Sequence, residues 1–71
     1  MVAVFLFYTS SAAFQAERAL KDAGLAVKLI PTPRQFSSDC GISLRLDWSE
    51  GERAQALLAE VGVEHAGLHQ M

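Results

Sequence analysis

Ile42-Ser43-Leu44-Arg45-Leu46-Asp47-Trp48 alternates apolar and polar residues without a break. Side chains along a strand point alternately to opposite faces, so this stretch describes a strand with one face on a core and the other in water. Upstream, Val2 to Tyr8 is a wholly apolar run rich in aromatics, which describes a central strand. Thr9-Ser10-Ser11 then supplies hydroxyls that can accept the unpaired N–H groups of a helix start. Ala13, Ala16, Leu20 and Ala23 recur at helical spacing, with Glu17, Arg18 and Lys21 on the other faces, and Gly24 closes the pattern. Ala26 to Ile30 reads as a second strand, stopped by Pro31 and Pro33, which lack the ladder N–H.

Downstream of the alternating strand, Ser49 and Glu52 have the spacing of a capping box. Ala54, Leu57, Leu58 and Val61 form the apolar stripe of a second helix, and Gly62 ends it. Val63 to Met71 reads as a final, weaker strand. The order is therefore strand, helix, strand, strand, helix, strand. Two such split units make an α+β, ferredoxin-like βαββαβ domain over residues 1–71, a four-stranded antiparallel sheet with both helices on one face. Its second-to-third strand connection, Pro31 to Gly41, exceeds the 2–5 residues of an ordinary hairpin link, which marks it as the functional excursion.

Composition narrows the function. The chain has 71 residues, enough for one core, and a domain of this size buries only about 60% of its unfolded surface. Apolar residues make up 51% and charged residues 20%, a globular rather than a disordered balance. Net charge is −2 and the six Lys and Arg are scattered, so no basic stripe faces a nucleic acid. The apolar opening is far shorter than the ~20 residues that span a bilayer, and it lacks the features of an export signal. With one cysteine, no internal disulfide can form, and a reducing cytoplasm is the expected location.

That single cysteine, Cys40, stands at the end of the Pro31–Gly41 loop. Two prolines stiffen the loop, and Ser37, Ser38 and Asp39 are residues that build turns through local hydrogen bonds. Gly41 admits a positive φ or the close approach of another backbone beside the thiol. Arg34 is the nearest cation in sequence and would favour a thiolate, whereas Asp39 would oppose one if it faced the sulfur. Sequence leaves that balance open.

Thr32-Pro33-Arg34, then Ser37-Ser38, then Cys40-Gly41 resembles the loop signature of the putative selenium/sulfur carrier protein-like family. Phe7 to Glu17, Leu25 to Pro31 and Leu44-Arg45 resemble that family's first strand and helix, second strand and third strand. The resemblance covers nearly the whole chain, and the spacing in the loop is its specific part. It implies that Cys40 receives and passes on sulfur or selenium, with donor and acceptor proteins as partners. Arg34, the hydroxyls of Ser37 and Ser38, and the Gly41 N–H are then the candidates to stabilise a thiolate or persulfide. One cysteine suits a carrier, because a second nearby would close a disulfide and expel the cargo.

Other residues read as scaffold. His65 and His69 lie about 13 Å apart on the expected last strand, too far to share one metal ion. Asp47, Glu50 and Glu52 read as strand-end and cap charges, and no cofactor or paired-carboxylate motif is present. With both helices on one side, the opposite sheet face would expose either Val4, Leu6 and Tyr8 or Ala3, Phe5 and Phe7. Such an apolar stripe suits a homodimer or a docked partner. A non-catalytic interaction or ligand-binding module is thus the alternative reading. A thiol redox sensor is a third, weakened by the lack of a resolving cysteine.

Overall fold

The computed structural model describes residues 1–36 and 40–71. Strand β1 (Val2–Leu6) leads into helix α1 (Ser10–Asp22), then β2 (Lys28–Pro31), β3 (Ile42–Asp47), helix α2 (Gly51–Glu60) and β4 (Gly67–Gln70). The sheet has four strands in the order β2-β3-β1-β4, every neighbouring pair antiparallel. The expected α+β, βαββαβ plan is thus the one the chain adopts.

Register explains the core. Pairings Leu29–Leu44–Phe5–Leu68 and, one row along, Leu46–Ala3 place apolar side chains on the face that the helices cover. Ala13, Ala16 and Leu20 of α1 and Ala54 and Leu58 of α2 complete the same cluster. Alanines let the helices lie close to the sheet, while Phe5 and Phe7, rings 6.4 Å apart, supply volume.

Both helices end alike. Gly24 (φ +87°) and Gly62 (φ +75°) take the left-handed conformation. Behind them Leu25 N–H donates to Leu20 O at 3.0 Å and Val63 N–H to Leu58 O at 2.9 Å, the six-to-one bond of a Schellman motif. At the start of α1, Thr9 Oγ1 accepts from Ala12 N–H at 3.1 Å.

Several local expectations are corrected. Pro31 ends β2 instead of stopping it, since β2 is an edge strand and needs no outward N–H there. The Ser49–Glu52 capping box does not form: Asp47 accepts from Ser49 N–H at 3.0 Å and from its hydroxyl, capping a short 3₁₀ turn over Trp48–Glu50. Hydrogen bonds from the Ser49 hydroxyl and then its N–H hold the Asp47 carboxyl below the usual carboxylate range. Val61, assigned to the apolar stripe of α2, is 58% exposed at the helix C-terminus, while Ala54 and Leu58 are buried. The last strand begins at Gly67, not Val63, because the Schellman turn spends Val63 N–H on the helix.

The sheet face opposite the helices is not the exposed apolar stripe its pattern implied. Val4 is 0% exposed and Leu6 4%, so of the expected stripe Val4, Leu6 and Tyr8 only Tyr8, at 55%, lies open. Ser43, on the nominally polar face of β3, is also fully buried. The loop before β3 is part of what covers this face, and it carries the cysteine.

Candidate functional site

The described part of the loop is tied to the outer sheet face at two points. Thr32 makes the first. Its N–H donates to Gly41 O at 2.9 Å and its hydroxyl donates to Cys40 O at 2.9 Å. The same Oγ1 lies 2.8 Å from Ser43 Oγ. A threonine hydroxyl has one proton, so with that proton on the Cys40 carbonyl it accepts from Ser43. Ser43 is therefore buried with its polar group satisfied, the condition under which a buried hydroxyl is tolerated.

Phe36 makes the second. A turn in which Phe36 N–H donates to Pro33 O at 3.0 Å brings the ring onto His69, with centroids 4.4 Å apart and planes inclined by 17°. His69 pairs with Val4 across β1 and β4, so its side chain stands on the outer face. His65, by contrast, lies against Phe5 with ring centroids 5.0 Å apart and reaches Gln55 of α2, on the helix-covered face. The bend before β4 turns the two histidines to opposite sides, so their separation is not that of a regular strand. Burial holds His65 below the ordinary imidazole value.

Cys40 itself is 4% exposed. Its sulfur accepts from Ile42 N–H at 3.4 Å and lies 3.9 Å from Ser10 Oγ. Ser10 opens α1, so the loop delivers the sulfur to the end of a helix where backbone N–H groups carry partial positive charge. The thiol can donate to Ser10 in its neutral form, and the hydroxyl can rotate to donate to a sulfur anion.

Of the other site residues expected from sequence, Arg34 is exposed in the turn and, among the described residues, has no carboxylate within ion-pair distance. Gly41 has no positive φ, and an added Cβ would meet nothing within 4 Å. Neither left-handed backbone nor close packing explains it. Its carbonyl accepts from Thr32, and its N–H stays a candidate donor to a sulfur-bound anion. Ser37 and Ser38, and with them Asp39, lie outside the described residues.

Thr32, itself bonded to Ser43, holds the Cys40 carbonyl and Ser10 meets the Cys40 sulfur, and sequence reasoning assigned none of the three a role there. Thr32 stood in the loop signature, but nothing local joins it to a serine on β3 or to the Cys40 and Gly41 carbonyls at the far end of the loop. Ser10 was legible only as part of a helix start.

The sequence model of a family described as putative Se/S carrier protein-like matches residues 3–70. No curated protein and no solved structure matches the chain.

Proposed function

We propose that this chain, which belongs to the putative Se/S carrier protein-like family, holds sulfur or selenium on Cys40 as a persulfide-type adduct. The observation that carries the reading is the setting of the sulfur: an N–H donor from Ile42 and a hydroxyl from Ser10 converge on it at the start of α1. The Ile42 N–H, and the Ser10 hydroxyl once it turns from accepting to donating, are groups that can stabilise a sulfur anion.

The transfer needs no external oxidant. The Cys40 thiolate attacks the outer sulfur of a donor persulfide, a new S–S bond forms on Cys40, and the donor's S–S bond breaks to release the donor thiolate. An acceptor nucleophile then takes the outer atom, with Cys40 thiolate as the leaving group. The selenium case is the same with a perselenide. Arg34, Ser37, Ser38 and the Gly41 N–H are further groups that could face the outer atom once it is bound. The work is that of a relay between a donor and an acceptor protein.

The test is mass spectrometry after incubation with a small-molecule persulfide donor. The intact protein should gain the mass of one sulfur atom, localised to Cys40 and removed by reductant. Equal loading of Cys40→Ser would refute the assignment.

A further inference from the structure

We infer that the outer sheet face is a docking surface for an acidic segment of a partner protein, seated on Lys28 and Arg45. The register makes these two cations direct cross-strand neighbours, Lys28 on β2 opposite Arg45 on β3. Both side chains are exposed, and both stand on the face away from the helices, in the row that continues through Val4 to His69. Like charges placed directly opposite destabilise a sheet. Among the described residues no carboxylate lies within ion-pair distance of either, whereas Lys21 pairs with Glu17 and Arg53 with Glu50 on the helices. Among the described residues, edge strand β2 and its neighbour β3 therefore keep an unfavourable cationic pair that an external anion would relieve.

A shallow depression adjoins the pair, lined among others by Lys28, Arg45, Val2 and Asp47. Asp47, the carboxylate there, is bonded to the Ser49 N–H and hydroxyl and lies beyond ion-pair distance of both cations. The lining thus offers two positive heads beside the apolar Val2 side chain, which fits an acidic chain segment carrying an apolar residue. A nucleic acid fits less well: two adjacent cations on a chain of net charge −2 are too few for a phosphate backbone. Arg45 stands four residues along the chain from Gly41, about 13 Å in an extended segment, so a partner of ordinary footprint on this face also reaches the Cys40 end of the sheet. Nothing in this inference depends on cargo at Cys40.

The probe is a blocked twelve-residue Glu-Ala repeat peptide, titrated into isotopically labelled full-length protein and followed by amide NMR shifts. Saturable shifts should concentrate in β2 and β3 around Lys28 and Arg45. Lys28→Glu should weaken binding about tenfold or more, since it turns an attraction into a repulsion. The same variant should melt at a higher temperature than the wild type, because the like-charged pair becomes an opposite pair. Arg18→Glu on α1 should bind as the wild type does, and so should Cys40→Ser, which separates this inference from the carrier reading. Equal weakening by Arg18→Glu would reduce the effect to net charge and overturn the proposal. So would tighter binding of a short DNA duplex than of the peptide, or salt-sensitive dimerisation of the protein through the same residues.

Discussion

The Thr32 hydroxyl donates to the carbonyl oxygen of Cys40 at 2.9 Å, joining the first residue after β2 to the cysteine that precedes β3. Together with the Thr32 N–H bond to Gly41 and the contact with buried Ser43, it closes the neck of the loop and holds the cysteine against the sheet. Cys40 is buried because its own backbone is held there.

Thr32→Val keeps the shape of the side chain and removes its hydroxyl, leaving the Cys40 carbonyl and the Ser43 hydroxyl without their partner. The variant should lose about 1–2 kcal/mol of stability, read as a lower urea midpoint with unchanged slope. Alkylation of Cys40 by iodoacetamide in native buffer should also become several-fold faster. Lost stability with an unchanged alkylation rate would show that the clasp supports the fold without guarding the sulfur.

The Phe36–His69 stack should couple the loop to β4. In a double-mutant cycle with Phe36→Ala and His69→Ala, the two changes together should cost less than the sum of each alone, by about 0.5–1.5 kcal/mol. Additive costs would mean that the rings touch without stabilising the loop.

Two glycines should respond differently to alanine. Gly24 sits at φ +87°, so Gly24→Ala forces a left-handed alanine and should cost about 1–2 kcal/mol. Gly41 has neither a positive φ nor an atom within 4 Å of an added Cβ, so Gly41→Ala should be neutral or slightly stabilising. Thermal melts of the two variants check both. A large loss for Gly41→Ala would point to a backbone requirement there that the described atoms do not show.

Burial lowers His65 from its ordinary value of 6.5, so as pH falls the unfolded chain takes up a proton before the folded one does. The stability linked to neutral His65 is therefore complete above 6.5 and is lost as pH falls through the lower folded value. His65→Leu removes this titration while keeping an apolar side chain against Phe5. Relative to that variant, the wild type should lose stability as pH is lowered from neutral through and below the ordinary imidazole value of 6.5. A constant difference across that range would show that His65 does not carry the dependence.

Element order and the core were readable along the chain because burial leaves a local period. Leu44 and Leu46 alternate with exposed Arg45, and Ala13, Ala16 and Leu20 follow a helical repeat, so each segment states which face it buries. The two Schellman glycines were readable for the same reason: a helix end is a local event. Cys40 stood out as the sole thiol in a stiff polar loop.

The polar side of β3 shows where that kind of reading stops. Alternation says that Ser43 and Arg45 share a face, but Ser43 is fully buried and Arg45 exposed. The difference comes from Thr32, which lies over one position and not over the other. Likewise, Val4 and Leu6 read as part of an open stripe, and the histidines of the last segment as two positions about 13 Å apart on one strand. Val4 and Leu6 are buried instead, on a face where Thr32 meets Ser43 and Phe36 meets His69, and a bend before β4 sent His65 and His69 to opposite faces. Periodicity records the average environment of a segment. Placing Cys40 beside Ser10, thirty residues away along the chain, takes the packing of loop, sheet and helix into one body, and no local pattern encodes that contact.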